Sequence, residues 1–350
     1  MTVDVIFACG GTGGHIYPAI AVAQALINEG KKSLFLISKH RQDAQIIPKY
    51  DFLSEEIPST KRNPLIIIWA IIKTLQLFRH YQPKVFIGTG GYLTFPAIIA
   101  ARIFGIPIIL MEQNVYPGKV TRLLSRYADL ICTSFPASKQ YIKKGNISLT
   151  GNPIRKVYLQ DALYSSLVNK LPTEGKKLLI FGGSQGADSI NRHIEASYEK
   201  ALNTHDISMV HIVGKSAFSQ RYGEMPYKII PSKFGRNCVV VLPYFEHMKY
   251  MYDWANVVIS RAGATTIAEL LQFKKPAVLV PYPYAADNHQ ELNAQSFLET
   301  KAGKIVLQPN LEKYSLIDEA IRLSDTTGHR FPTVDSTQNV VEKILPFLGK

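Results

Sequence analysis

A short apolar strand, Val3 to Ala8, runs into Gly10-Gly11-Thr12-Gly13-Gly14-His15, and a helix is predicted from about Pro18. Four glycines in five positions let the backbone turn sharply and approach a ligand closely, because no Cβ stands in the way. The next helix begins with unsatisfied N–H groups and a partial positive charge, which suits a phosphate. The spacing is not the dinucleotide fingerprint: counting from Gly11, the sixth position is Ile16, where that fingerprint needs a third glycine. A lone glycine loop is equally well a turn, but this one has company. Gly88-Thr89-Gly90-Gly91-Tyr92 follows a strand ending at Ile87, and Gly182-Gly183-Ser184-Gln185-Gly186-Ala187 follows one ending at Phe181. Arg261-Ala262-Gly263-Ala264-Thr265-Thr266-Ile267-Ala268-Glu269 follows Val257–Ser260. Gly263-Ala264-Thr265 opens a helix whose N–H groups suit a diphosphate, and Glu269, about one turn in, can accept from vicinal hydroxyls such as a ribose. A carboxylate there also serves plain capping electrostatics. Asp287-Asn288-His289-Gln290-Glu291-Leu292-Asn293 gathers polar groups that suit sugar hydroxyls or simply start a helix.

The absences narrow the chemistry. No Asp-x-Asp pair occurs, so the usual carboxylate grip on a metal-bound nucleotide sugar is missing. No Lys follows a glycine loop in the Walker arrangement, which disfavours ATP hydrolysis or a kinase reaction. A metal-free diphosphate site of helix ends, Ser184 and Arg155 remains, with no cofactor. Cys9, Cys132 and Cys238 lie far apart without metal-ligand spacing and read as reduced packing residues.

The elements that must carry these loops alternate. Strand-like runs at Val3–Ala8, Ser33–Ile37, Val85–Gly88, Pro107–Glu112, Leu130–Thr133 and Ser148–Thr150 are separated by helical patterns. The series restarts with Lys177–Phe181, Ser208–Val213, Val239–Leu242, Val257–Ser260, Ala277–Pro281 and Lys304–Val306. That predicts an α/β chain of two doubly wound parallel sheets, joined near Gly151-Asn152-Pro153. The glycine loops then fall at the carboxyl ends of strands, where open α/β sheets bind ligands. Two such sheets facing a central cleft would bring both loop sets to one active site. A length of 350 residues fits two cores better than one. With 46% hydrophobic and 19% charged residues the chain is not disordered.

Charge is uneven. Residues 1–155 carry 18 Lys and Arg against 8 Asp and Glu, whereas residues 156–350 carry 22 against 19. A basic first half wants a polyanion or an anionic membrane surface. No zinc finger, RNA-recognition signature or long basic run with aromatics is present, so nucleic acid is not the expected partner. No signal peptide and no apolar run of about 20 residues is seen, so a cytoplasmic protein is expected. The segment Asn63-Pro64 caps and opens a helix that is apolar nearly all round at its start, flanked by Lys61, Arg62, Lys73, Arg79 and Lys84. We read it as an interfacial helix that places Ile67, Trp69, Ile71 and Phe78 against anionic lipid, the alternative being a buried core helix.

Taken together and in order, GGTGGH with Pro18, GTGGY at Gly88 to Tyr92, Glu112-Gln113-Asn114, Gly151-Asn152-Pro153-Ile154-Arg155, GGSQGA at Gly182 to Ala187 and RAGATTIAE at Arg261 to Glu269 closely resemble the family 28 glycosyltransferases of bacterial peptidoglycan synthesis. Those enzymes add GlcNAc from UDP-GlcNAc to lipid I, giving lipid II. The resemblance spans about residues 10 to 305. It implies a GT-B fold of two Rossmann-like domains and an inverting, metal-independent transfer at the cytoplasmic face of the inner membrane. It also implies partnership with cell-wall synthesis or division proteins. Residues 1–156 would form the acceptor and membrane domain and residues 157–331 the donor domain, with a helix at about 332–350 returning to the first. UDP-GlcNAc contacts are assigned by resemblance to Thr12, Gly13, Gly14, Asn114, Arg155, Ser184, Phe245, Ala264, Thr265, Thr266, Ile267, Ala268, Glu269 and Gln290. Glu269 would take the ribose hydroxyls, Phe245 would lie beside the uracil and Gln290 would face the sugar. Gly11, Gly90, Gly91 and Tyr92 would face the acceptor diphosphate.

In such a transfer the acceptor hydroxyl attacks the anomeric carbon as UDP leaves, and a base must take its proton. His15, ending the glycine loop and of the side-chain type most often used as a general base, is the first candidate, and Glu112, at the end of another strand, is the second. The helix near Ala264, with Ser184 and Arg155, would meet the leaving-group charge. Alternatives sharing these loops are another GT-B transferase acting on a lipid or glycoside, or a UDP-GlcNAc 2-epimerase. A basic RNA- or membrane-binding module without turnover has no use for a ribose-reading carboxylate.

Overall fold

The computed structural model describes residues 2–10, 13–38, 42–58, 63–155, 167, 171–183, 186–233, 235 and 237–349. It divides into two compact units, Met1–Lys156 with Val334–Lys350, and Val157–Thr333.

The sheet of the first unit contains, among the described residues, β1 (Val5–Ala8), β2 (Ser33–Ile37), β3 (Leu53–Glu56), β4 (Val85–Gly88), β5 (Ile108–Glu112), β6 (Leu130–Thr133) and β7 (Ile147–Leu149). Its order is β3-β2-β1-β4-β5-β6-β7, with every pairing parallel. β1, β2, β4, β5 and β6 are buried along their whole length, which is why they read as unbroken apolar runs. Chain order reverses between β1 and β4, the topological switch point at which open α/β sheets leave a crevice. Helices α1 (Gly13–Asn28), α2 (Gln42–Ile46), α3 (Pro64–Tyr81), α4 (Thr94–Phe104) and α5 (Lys119–Leu124) complete this part of the chain. Helix α1 starts at Gly13, earlier than the sequence predicts, so His15 stands in its first turn. Pro18 lies inside that helix, where it has no N–H to give.

Helix α3 begins as expected, with Asn63 accepting from the Leu65 amide at 3.0 Å and Pro64 in the first position. Its inward face is Ala70, Thr74, Leu77, Phe78 and Tyr81, at helical spacing. The opposite stripe, Leu65, Ile68, Trp69 and Ile72, is exposed, Trp69 at 61%. Phe78, expected at a lipid surface, instead packs inside against Phe86 with ring centroids 6.0 Å apart. Ile67 and Ile71 are half-buried on the flanks. Lys61 and Arg62 lie outside the described residues.

The second unit contains β8 (Lys176–Phe181), β9 (Ile207–Ile212), β10 (Lys228–Pro231), β11 (Cys238–Leu242), β12 (Val257–Ser260), β13 (Ala277–Leu279) and β14 (Gly303–Ile305), in the order β10-β11-β9-β8-β12-β13-β14. Only the edge strand β10 is antiparallel among its described pairings. Its helices are α6 (Asp188–Glu195), α7 (Tyr198–Thr204), α8 (Lys215–Tyr222), α9 (Met248–Trp254), α10 (Ala264–Gln272), α11 (His289–Phe297) and α12 (Leu316–Asp325). The last helix, α13 (Ser336–Leu348), returns to the first unit and packs on α1. There Val340, Val341, Ile344 and Leu348 share one core with Phe7, Ile16 and Ile20. Cys9 and Cys132 are buried free thiols, and burial pushes the Cys132 thiol up to about 12.

Inside the second unit a polar chain crosses the core. Asn191 Nδ2 donates to the Val213 carbonyl at 2.8 Å, so its Oδ1 faces His211 Nε2 at 3.1 Å. That assigns the proton to Nε2 and leaves Nδ1 to accept from the Tyr198 hydroxyl. His211 is fully buried, and desolvation, aided by the Arg221 charge, holds its pKa down to about 3.

Candidate active site

In the first unit, the loops leaving β1, β4 and β5 converge on His15. The carbonyl oxygen of Gly10 approaches Gly91 so closely that a Cβ there would lie 2.3 Å from it, and Gly91 has φ +81°, which also favours glycine. The imidazole of His15 lies on Gly90, where a Cβ would be 3.0 Å from Cε1 and 3.1 Å from Nδ1. Thr89 donates to the His15 carbonyl at 2.9 Å, and Thr94 to the Gly90 carbonyl at 2.9 Å. His15 Nδ1 meets Gln113 Oε1 at 3.0 Å. Tyr92 is exposed beside this cluster in sequence.

Glu112 is differently occupied. It is buried, and its two carboxylate oxygens accept from the amides of Asn114 at 3.1 Å and Gly118 at 2.9 Å, so it closes the loop that carries Asn114. Ser138 fixes the same loop by donating to the Asn114 carbonyl at 3.0 Å. Arg155 stacks over the Tyr17 ring of α1, 4.1 Å from its centroid, and donates to the Tyr50 hydroxyl. Those aromatic partners aim the guanidinium without neutralising it.

In the second unit the switch point falls between β8 and β12, so the loop at Gly182 and the Arg261 to Glu269 segment rise from neighbouring strands. Helix α10 opens after Gly263 with Ala264, Ile267 and Ala268 buried. Glu269 accepts from the Tyr252 hydroxyl at 2.9 Å. Tyr252 is wholly buried, stacked on Phe273 with centroids 5.0 Å apart, and burial next to Glu269 pushes its phenol well up. The Thr265 hydroxyl, in the first turn, is shielded from solvent and has no hydrogen-bond partner. Gln290 Oε1 accepts from the Tyr282 amide at 2.9 Å, at the start of α11. Asp287 and Asn288 before it both have positive φ, 53° and 54°, a strained pair for residues with side chains. Phe245 is buried.

Arg261 ties the loops together. Its guanidinium donates to the carbonyls of Val280 at 3.0 Å and Pro281 at 3.1 Å, to the Ser189 hydroxyl at 3.0 Å and to Gln308 Oε1 at 2.7 Å. All four hydrogen-bond partners are neutral, and the Tyr282 ring centroid lies 5.3 Å from Cζ, so a positive charge sits at the carboxyl ends of these strands with no carboxylate among these partners. Burial lowers its pKa from the ordinary arginine value. Asn293 of α11 adds a bond to the Ala262 carbonyl at 3.2 Å.

His15, Gly13, Gly14, Gly90 and Gly91 therefore meet in one cluster, and Ala264 to Glu269 form one helix start. Gly11, Thr12 and Ser184 lie outside the described residues. Sequence reasoning missed the supports: Gln113 behind His15, Tyr252 behind Glu269, Tyr17 and Tyr50 around Arg155, and the Arg261 cage. Gln113 and Arg261 stand inside motifs quoted above, so their side chains were in view. The tyrosines come from other elements and left no local signal.

Two sheets of this topology, each with glycine loops at its switch point, are those of the GT-B fold. Residues 5–133 match the glycosyltransferase family 28 N-terminal domain and residues 177–341 the glycosyltransferase family 28 C-terminal domain. The chain belongs to glycosyltransferase family 28. Proteins from Halothermothrix orenii and Desulforamulus reducens, both named UDP-N-acetylglucosamine--N-acetylmuramyl-(pentapeptide) pyrophosphoryl-undecaprenol N-acetylglucosamine transferase, are each 35% identical to it. The first match covers 89% of this chain and 88% of the relative, the second 97% and 98%. The crystal structure of Acinetobacter baumannii MurG superposes with a TM-score of 0.72 at 25% identity, covering 98% of this chain and 99% of that one.

Proposed function

We propose that this chain transfers N-acetylglucosamine from UDP-GlcNAc to the MurNAc C4 hydroxyl of lipid I, giving lipid II, by an inverting reaction without a metal. The observation that carries the donor assignment is Glu269. A carboxylate held by a buried phenol one turn into a helix with an open N-terminus suits a nucleoside diphosphate, with ribose hydroxyls on the acid and phosphates on the helix end. The partnerless Thr265 hydroxyl adds a donor in the same turn. The Arg261 charge in the same unit favours the developing negative charge of UDP, and because its hydrogen bonds already hold it in place it needs no reorganisation. Family membership and the names of the relatives support the same donor and acceptor. In the first unit the Gly10 and Gly90 loops would hold the acceptor diphosphate, and His15 would take the hydroxyl proton.

The test is incubation of the chain with UDP-GlcNAc and lipid I, following UDP release and a GlcNAc-extended lipid. UDP release that does not depend on lipid I counts against transfer and for hydrolysis or epimerisation. Replacing Tyr252 with Phe removes a hydrogen bond that orients Glu269 and is expected to raise KM for UDP-GlcNAc roughly three- to tenfold with kcat nearly unchanged, the worth of one typical hydrogen bond. Steady-state kinetics checks this.

We also propose that the chain works as a peripheral protein on the cytoplasmic face of the inner membrane, resting on the α3 stripe. Leu65, Ile68, Trp69 and Ile72 form an exposed apolar stripe along the first half of α3. An apolar patch in a half of the chain with excess positive charge fits an anionic lipid surface. No described helix is long and apolar enough to cross a membrane. The Ile68→Glu, Trp69→Glu double variant is expected to reduce flotation with anionic liposomes about tenfold, because two charges enter the buried face. Unchanged flotation would remove this patch from the interface.

A further inference from the structure

A histidine acts as a base through one nitrogen, and the hydrogen bond made by the other decides which. Gln113 makes that bond for His15. Its side chain is 2% exposed, and its Nε2 donates to the Met111 carbonyl at 2.9 Å. With the amide nitrogen committed there, Oε1 faces His15 Nδ1 at 3.0 Å. The reversed amide would bring two carbonyl oxygens to 2.9 Å with no proton between them, so the chain's own backbone fixes its orientation. An amide oxygen only accepts. The proton therefore sits on Nδ1, and Nε2 carries the lone pair. Gly90 lies beside the Cε1 and Nδ1 atoms of the ring, and Thr89 holds the His15 backbone through its carbonyl.

We propose that Gln113 is a positioning residue that holds His15 as the Nδ1–H tautomer, so that Nε2 is the atom that receives the acceptor proton. This rests on the reading of His15 as the base. In the step itself the acceptor oxygen forms its bond to the anomeric carbon while the bond from that carbon to the diphosphate oxygen breaks. The electron pair leaves with UDP, and the hydroxyl proton moves to Nε2. Gln113 still accepts from Nδ1–H in the resulting imidazolium. As a neutral amide it adds no ion pair that would trap the proton, which passes to solvent before the next turnover.

The experiment uses the full chain labelled with 15N-histidine at pH 8.5, with the His15 resonances among nine histidines assigned by their loss in His15→Ala. The native spectrum should show a protonated Nδ1 and a bare Nε2, the tautomer less favoured in free histidine. Gln113→Leu should shift His15 towards Nε2–H and lower kcat roughly 10- to 100-fold, within the range of a misdirected base. KM for UDP-GlcNAc should stay within about twofold. The other eight histidine signals of Gln113→Leu should keep their native positions, which separates a changed tautomer from a folding defect. A native Nε2–H signal overturns the proposal, as does a Gln113→Leu variant that changes tautomer with kcat unmoved. A His15→Ala enzyme that keeps its turnover instead overturns the reading of His15 as base, with the tautomer still measurable in the native chain.

Discussion

Replacing His15 with alanine is expected to lower turnover by roughly 10²- to 10⁴-fold, the usual worth of a positioned general base, while leaving KM for UDP-GlcNAc nearly unchanged. The asymmetry follows from where the side chain stands. His15 is fixed by Gln113, Thr89 and Gly90 in the first unit, whereas the supports of Glu269, Arg261 and Gln290 all belong to the second. Single-turnover kinetics with saturating donor checks it, and a fall of less than about tenfold passes the role to Glu112. Geometry disfavours that transfer, because both Glu112 oxygens already accept from amides of its own loop. Glu112→Ala should therefore act first on stability and on the placement of Asn114.

The second large effect is on stability against pH. Well above pH 6.5 His211 is neutral in both the folded and the unfolded chain, and its contribution to stability is complete. Below that value the unfolded chain takes up a proton that the native site refuses until about pH 3, so stability falls as the pH falls through this window. Between pH 7 and pH 4 the loss is on the order of 3 kcal/mol from this one residue. Protonation would also remove the lone pair that accepts from Tyr198. Denaturant unfolding of the second unit can be followed by Trp254 fluorescence in a Trp69→Phe background. The native chain should lose stability over that range more steeply than His211→Gln, and parallel slopes would refute the assignment.

Both sheets were legible because their central strands are buried along their length and read as continuous apolar runs. β3 and β10 were not. Leu53-Ser54-Glu55-Glu56 and Lys228-Ile229-Ile230-Pro231 are edge strands with no buried residue, and neither shows the apolar run of a central strand. Glycine loops were legible because their spacing is local. On α3 the cap was read correctly, but Phe78 was placed outward because an almost uniformly apolar start hides which face turns in. The position of Phe78 relative to Ala70, Thr74, Leu77 and Tyr81 decides it. The supporting shell of the site was hidden for another reason. Tyr252 lies 17 residues from Glu269 and Gln113 lies 98 from His15, so only the fold brings them together.

The return of α13 to the first unit has a consequence for the order of biosynthesis. Val340, Val341, Ile344 and Leu348 fill the core beneath α1, so the unit that contains β1 and α1 is completed only by residues 336–348. At the usual elongation rates, the intervening segment takes about 10 to 35 s to synthesise. During that interval the apolar face of α1 that α13 covers is without those partners, and the residues of the second unit are all made before the first unit is complete. The ribosome therefore delivers the two units in the reverse of their sequence order, and the half that starts first is finished last.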